Sequence, residues 1–240
     1  MNVEEYLYKI ELHAHTNPGS SCSSVTPEKM VAIHKQIGCD AVVITNHFQP
    51  DYFYKNFNSK QELIDKYLEG YRKTYEIGQR EGLTVLLGME IRVAENSNDY
   101  LVYGIDDEFI GKASEYLDKN LELLYKNLKN DRNVIIQAHP FRNGMTEMPK
   151  EFLDGIETFN LHPGHNSRVG MASSYVKENN ILITTCGSDF HDEPNYGLAL
   201  LRSKTLPRDS FELAELIKSR DYLFDISGNI VIPSGFCERV

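Results

Sequence analysis

The sequence predicts an α/β barrel of parallel strands, and three observations carry the prediction. Strand and helix signals alternate from one end of the chain to the other, the pattern of a parallel sheet with helical crossovers rather than of segregated layers. Apolar runs end directly in side chains of metal-binding type, in ELHAHT, VVITNH, VLLGME, VIIQAHP and CGSDFH. An aliphatic run with such an ending is how a parallel strand delivers a ligand to a barrel rim. The 240 residues suit one sizeable core, and no linker interrupts them, so residues 1–240 are expected to form a single domain.

Tyr8 to Leu12 reads as the first strand. TPEKMVAIHKQIG follows as a helix, with Thr26 as N-cap, Pro27 at the first position and Gly38 as the stop. Asp40 to Thr45 is the second strand. Residues 48–58 (FQPDYFYKNFN) are aromatic and aperiodic, and are expected to form an excursion above the barrel, a candidate lid. Ser59 and Glu62 form a capping box for a long helix through Gly82. Its Leu63, Ile64, Tyr67, Leu68, Tyr71 and Tyr75 keep helical spacing and are expected to be core packing. Thr84 to Leu87, Tyr100 to Ile105 and Asn133 to Gln137 are the third, fourth and fifth strands, with a helix around residues 112–128 before the fifth. Gly155 to Phe159 and Ile181 to Thr185 complete seven strands. A helix from beyond Asn166 to about Asn180 lies between these two, and FELAELIKSR makes a last one.

Composition narrows the function classes. With 41% hydrophobic and 25% charged residues, the chain has the make-up of an ordinary soluble globular protein. A net charge of −10 argues against general nucleic-acid binding, which needs clustered Lys and Arg. Neither a signal-peptide pattern nor an apolar run of membrane-spanning length is present, so no membrane association and a cytoplasmic location are expected. Cys22, Cys39, Cys186 and Cys237 form no CxxC pair and are expected to be reduced thiols, with Cys39 and Cys186 as small buried hydrophobes.

The chemistry lies at the strand ends. His13 and His15 are two residues apart, so on an extended strand both imidazoles leave one face and can reach one ion. Asp189 and His191 repeat that spacing after ILITTCGS, where Gly187 allows a close approach of the backbone. Glu90 ends VLLGM, a place where a carboxylate is costly to bury unpaired and where it can bridge two ions. His47 and His139 end runs of their own. Any one of these is as readily a hydrogen-bonded rim residue. Together they point to a multinuclear site for Zn, Mn or Fe, ions that imidazole and carboxylate suit.

In that order, ELHAHT, ITNH, GME, QAHP and GSDFH resemble the motifs of the PHP (polymerase and histidinol phosphatase) family of metal-dependent phosphoesterases, over about residues 9–200. The resemblance implies a distorted (β/α)7, TIM-like barrel with two or three divalent ions at the C-terminal ends of its strands, and hydrolysis of phosphate esters. It implies His13, His15, Glu90 and Asp189 as ligands of a first ion, Glu90 and His139 of a second, and His47 and His191 of a third. Three departures stand out. Ser20, Ser21 and Cys22 occupy the stretch where the family often has a His or Asp, which makes Cys22 a candidate substitute ligand. Asp99 precedes YLVYGID where many relatives carry a His, and is a candidate ligand of the second ion or else a strand-start cap. Asn46 replaces an Asp before the motif His, which removes a carboxylate that would support a ligand.

Other polar residues frame a substrate. Arg142, in AHPFRNGM, is a candidate clamp for a phosphate, and Arg142 and His191 are the candidates for a direct part in catalysis. His165 and Arg168 are candidate substrate contacts, with Asn160 and His162 on the same rim. Glu157 is expected to support ligands, Ser188 to pack beside them, and His34 to pack at the surface or half-buried. The expected reaction is hydrolysis of a small phosphomonoester or related phosphoester by a metal-activated water. An amidohydrolase-type barrel acting on C–N or C–O bonds and a metal-binding module without turnover are the alternatives. The former usually carries a carboxylated lysine bridge, and no lysine ends an apolar strand here.

Overall fold

The apolar runs form strands much as their alternation predicts, and the structure, a computed structural model, describes residues 1–50, 57–193 and 195–238. In chain order come β1 (Tyr8–Ala14), α1 (Pro27–Gln36), β2 (Ala41–Ile44), β3 (His47–Phe48), α2 (Lys60–Glu81), β4 (Thr84–Leu87), β5 (Met89–Arg92) and β6 (Asp99–Tyr103). Then follow α3 (Asp107–Ala113), α4 (Leu121–Leu128), β7 (Val134–Gln137), β8 (Gly155–Asn160), α5 (Val169–Asn179) and β9 (Ile183–Gly187). Last are β10 (Ala199–Ser203), α6 (Ser210–Ser219), β11 (Tyr222–Ile226) and β12 (Asn229–Val231).

The strands form two six-stranded sheets, in the orders β12-β11-β10-β1-β2-β4 and β3-β5-β6-β7-β8-β9. Two interrupted strands join them: β2 runs on into β3 through Thr45 and Asn46, and β4 into β5 through Gly88. Counted as staves, β1, β2/β3, β4/β5, β6, β7, β8 and β9 are the seven strands expected. Leu12, Val43, Leu86, Leu101, Ile136 and Cys186 come from six of these staves and pack in one buried cluster, as the interior of a distorted barrel requires. Beyond β9, Phe190 bridges to Ala14 at the end of β1. The last three strands were not foreseen from sequence, and they extend the first sheet from β1 as an antiparallel ribbon.

A wholly parallel set of staves is not what forms, because β6 lies antiparallel to both β5 and β7. The cause is connection length. Residues 93–98 are too few for the crossover of about a dozen or more that parallel strands need, and they close a hairpin instead. The reversal sets Asp99, the first residue of β6, opposite Arg92 at the end of β5. A strand start thereby reaches the rim where the other staves have their ends.

Caps account for the helix boundaries. The Thr26 hydroxyl accepts from Lys29 N, and Gly38 takes φ +73° just past α1. Ser59 Oγ accepts from Glu62 N at 3.1 Å, while Glu62 reaches back to Asn58 N at 2.8 Å. On α2, Leu63, Ile64, Tyr67 and Leu68 are buried, Tyr71 is half-buried, and Tyr75 is exposed, so the stripe is core packing except at Tyr75. The single helix expected around 112–128 is two, because Asp106 caps α3 through Phe109 N and Asn120 caps α4 through Leu123 N, each at 2.9 Å. Residues 51–56 of the expected lid lie outside the described residues. Phe48, at its start, sits in β3 rather than above the barrel, buried edge-on to Tyr67.

His34 is fully buried, deeper than its sequence context suggests. Its Nδ1–H donates to Met30 O at 2.8 Å and its ring stands edge-on to Phe190. Burial drives its pKa from 6.5 down to about 4. The unfolded chain therefore takes up this proton before the folded one does, and the stability present above pH 6.5 is lost as pH falls toward about 4. Urea unfolding of wild type and His34→Gln should show the wild type losing up to about 3 kcal/mol relative to the variant across that window. A difference constant with pH would contradict this.

Gly187 closes β9 onto β1. A Cβ there would lie 2.5 Å from His13 Cβ and 2.7 Å from Glu157 Oε1, so only glycine permits the approach. Gly187→Ala is expected to destabilise the protein by about 1–3 kcal/mol through overpacking. An unchanged urea midpoint would show that the two strands have room to part.

Candidate metal centre

Glu90 is the hub of the site. It lies on β5 with 1% exposure, and four imidazoles face its carboxylate. His139 Nε2 and His13 Nε2 are 3.1 and 3.3 Å from Oε1, while His47 Nδ1 and His15 Nε2 are 3.0 and 3.3 Å from Oε2. Asp189 is a second acceptor, its Oδ1 lying 3.4 Å from His13 Nε2, 3.5 Å from His15 Nε2 and 3.3 Å from His191 Nδ1. The side chains singled out at the strand ends therefore meet at one place.

The partners behind the imidazoles decide which nitrogen faces inward. Glu157 is a carboxylate and only accepts, so His13 Nδ1 donates to it at 3.0 Å, and in the neutral ring Nε2 carries the lone pair. For His15 the chain of reasoning is longer. Asn46 Oδ1 accepts from Thr16 N at 2.8 Å and from Ser20 Oγ at 3.1 Å, which uses the one hydroxyl proton. Ser20 Oγ must then accept from His15 Nδ1 at 3.1 Å, and His15 Nε2 is again the lone-pair nitrogen. His191 Nδ1 donates to Asp189 O at 2.9 Å, which leaves its Nε2 for a ligand. Lone pairs of His13 and His15 thus point at carboxylate oxygens, an arrangement that calls for a cation between them.

Unsatisfied atoms gather at the same spot. Among the described residues nine buried side-chain atoms have no hydrogen-bond partner, and four of them, His13 Nε2, His15 Nε2, His47 Nδ1 and Glu90 Oε2, lie together here. Three overlapping sets, His13–His15–Glu90, His15–His47–His191 and His47–Glu90–Asp99, each bring ligand atoms within 4.8 Å of one another. The donor types, imidazole and carboxylate, fit divalent Zn, Mn or Fe. Burial alone would raise Glu90, but His47 and His13 hold its carboxyl well below the usual range. Burial would raise Asp189 too, and His13 holds it well below. Burial, with His191 beside it, pushes His15 well down, toward the neutral ring.

Backbone strain marks two of these residues. His139 and Asp189 adopt φ of +28° and +51°, a region that costs a side-chain-bearing residue on the order of 1–3 kcal/mol. Glu157 helps to hold both, since its Oε2 accepts from His139 N at 3.0 Å and from Asn160 Nδ2 at 2.9 Å, and Asn160 Nδ2 also lies 3.2 Å from Asp189 Oδ2. Ser188 is fully buried, and its Oγ accepts from Leu198 N and Ala199 N at 3.0 and 3.2 Å.

Asp99 is fully buried at the edge of the cluster, 3.8 Å from His139 Nε2. Arg92 grips it with Nε and Nη2, both at 2.8 Å, and Arg142 Nη2 lies 3.5 Å away. Arg142 also reaches Asp189, with Nη1 3.5 Å from Oδ2. Arg92 was missed from sequence, although it stands two residues past Glu90 on one strand and so shares its face. A cleft of 260 Å³ opens above the cluster, lined by Cys22, Arg92, Arg142, His162, His165 and His191 among others. Arg168 is turned elsewhere: it donates to Phe141 O at 3.3 Å and to Asn143 Oδ1, bracing the loop that carries Arg142. Cys22 is exposed at the cleft mouth. Burial of its sulfur would raise the thiol, but hydrogen bonds with His191 and His47 outweigh this and bring it down to about 6.

Residues 11–226 match the PHP domain family. The PolC-type DNA polymerase III of Streptococcus mutans is 27% identical over 158 residues, which make up 65% of this chain and 9% of the polymerase. A two-domain protein of Bacteroides vulgatus, described as containing a predicted PHP-like metal-dependent phosphoesterase, is similar in structure with a TM-score of 0.64 at 16% identity, over 90% of this chain and 64% of that one. PsfC of Pseudomonas syringae gives 0.53 at 18% identity, over 82% and 81%. An amidohydrolase of Chromobacterium violaceum gives 0.53 at 13%, over 77% and 88%. The chain thus spans a small part of the polymerase and just under two thirds of the Bacteroides protein. These structural likenesses speak to the fold alone. Because the family match runs through most of the sequence and takes in every strand-end motif, the chain belongs to the PHP domain family.

Proposed function

We propose that this protein hydrolyses a small phosphomonoester or related phosphoester, using two or three divalent ions held by His13, His15, His47, Glu90, Asp99, His139, Asp189 and His191. One observation carries the proposal: the buried Glu90 carboxylate is faced by four imidazoles, and three of the nitrogens that face it, His13 Nε2, His15 Nε2 and His47 Nδ1, have no hydrogen-bond partner. Divalent ions at such a site lower the pKa of a bound water and neutralise the oxygens of a phosphoryl group. The chain's own residues do the rest. Glu157 and Ser20 fix the ring orientation of His13 and His15.

Arg142 supplies a planar fork at the cleft wall for phosphate oxygens, and Arg168 steadies its loop. His191 has the other direct part, with Nε2 left for a ligand because Nδ1 is committed to Asp189 O. His165 and the neighbouring His162 stand in the cleft lining, where the organic part of a substrate would lie. The phosphoesterase is favoured over an amidohydrolase because no lysine lines the cleft among the described residues, and Glu90, with imidazoles at both oxygens, is the carboxylate that would bridge two ions. We also propose that the 240 residues act as one domain and that the setting is cytoplasmic, consistent with four unpaired cysteines.

The test is to load the protein with Mn, Zn or Fe in turn and assay an aryl phosphate, phosphorylated metabolites, nucleotides and short oligonucleotides. Hydrolysis of a phosphoester is expected with at least one metal, and Glu90→Gln should lower it by about 100-fold or more. Stoichiometric metal without turnover in every form would instead identify a binding module. Turnover of amides or lactones alone would identify an amidohydrolase.

A further inference from the structure

We propose that Tyr67 is a positioning residue for the metal centre: its hydroxyl holds together the two strand interruptions from which His47 and Glu90 enter the site. The role presupposes the metal centre proposed above. Helical spacing marks Tyr67 only as core packing, and the hydroxyl is what that reading leaves unused.

One hydroxyl stands between two carbonyls. Tyr67 OH lies 3.1 Å from Asn46 O and 3.2 Å from Gly88 O, and donates its proton to the pair as a shared bond. These carbonyls belong to the breaks in two neighbouring staves, Asn46 between β2 and β3 and Gly88 between β4 and β5. His47 follows Asn46 directly, and Glu90 stands two residues beyond Gly88. Asn46 and Gly88 are both buried, so a carbonyl turned out of the ladder there needs a donor from the protein.

The two breaks are matched. Ile44 pairs with Leu87 before them and His47 with Glu90 after them, in the same register on both sides. Gly88 N donates to Ile44 O at 3.0 Å and Glu90 N to Asn46 O at 3.1 Å, so the staves stay in contact across the gap. Asn46 O therefore receives both the Glu90 N–H and the Tyr67 hydroxyl. Through that shared acceptor Tyr67 reaches the backbone of Glu90.

The ring is fixed where it can do this. Tyr67 packs in one buried cluster with Phe48, Met89 and Ile91, which are the sequence neighbours of His47 and Glu90. Met89 and Ile91 alternate with Glu90 along β5, so the stave is gripped by Tyr67 on its helix side while Glu90 leaves the other face. On that face His47 Nδ1 meets Glu90 Oε2 at 3.0 Å. Removal of the hydroxyl leaves two buried carbonyls without this donor and lets the breaks relax, which shifts His47 against Glu90. Core packing alone would need the ring but not the oxygen.

Zinc affinity of the metal-free full chain, read by competition with a chromophoric chelator, tests this without reference to turnover. Tyr67→Phe keeps the ring and removes the hydroxyl, and should weaken zinc binding by about 10-fold or more. Tyr222→Phe is the matched control, since Tyr222 is equally buried and its hydroxyl donates to Thr184 O at 2.8 Å, within β9 rather than at a break. Both variants should lose stability in urea, but Tyr222→Phe should keep the wild-type zinc affinity. Replacing Tyr67 by 4-aminophenylalanine supplies an N–H for each carbonyl and should restore tight binding. Wild-type affinity in Tyr67→Phe, or an equal loss in Tyr222→Phe, would overturn the proposal. If Tyr67→Phe does not fold, the 4-aminophenylalanine form decides, with wild-type affinity upholding the shared donor and weakened binding overturning it. A wild type that binds no zinc is a different result, which overturns the metal centre itself and the role of Tyr67 with it.

Discussion

A carboxylate buried among four imidazoles is the constraint from which the rest of the structure follows. Glu90 has almost no access to water, and an isolated buried carboxylate is too costly to persist unless positive charge is brought to it. The nearby arginines do not supply that charge directly, since Arg92 is bound to Asp99 and Arg142 lies between Asp99 and Asp189. The imidazoles around Glu90 have their outer nitrogens committed at His13 and His15, so they present lone pairs inward. Cations at the centre resolve both problems together, and the PHP family to which the chain belongs is metal-dependent.

The fold is arranged to make that centre possible. The candidate ligands come from the strands or strand ends of six different staves, which places them on several independent supports, with His139, Asp189 and His191 just past the ends of β7 and β9. Glu157 ties three of the supports together by holding His13, His139 N and Asn160 at once. The positive φ of His139 and Asp189 is the local cost of aiming these residues inward, and the surrounding hydrogen bonds offset it. Reversal of β6 adds the Asp99 carboxylate, and with it the two arginines that line the cleft.

Much of this was legible in the sequence, for definite reasons. Seven staves could be counted because each is a short aliphatic run, and the side chains that meet around Glu90 could be picked out because a polar residue after such a run has few places to go but the rim. The core-facing stripe of α2 followed from helical spacing. What could not be read has physical causes too. The β6 reversal depends on the length of one connection, the split of the 112–128 helix on two competing caps, and the ribbon β10–β12 on pairing with the far edge of β1. Ser20 and Asn46 looked like lost ligands and lost carboxylates, yet in three dimensions they form the relay that orients His15. Arg92 could have been found from its i+2 relation to Glu90, whereas the turning of Arg168 toward Phe141 and Asn143 is a long-range contact with no local signal.

The most direct measurement is anomalous diffraction from crystals of metal-loaded protein, recorded at the absorption edge of the loaded metal. Anomalous peaks should flank Glu90, one within ligand reach of His13, His15 and Asp189 and another within reach of His139. Crystals grown with excess metal that show no peak within ligand reach of the Glu90 carboxylate would contradict the central claim, and the four imidazoles would then have to be explained by protonation alone.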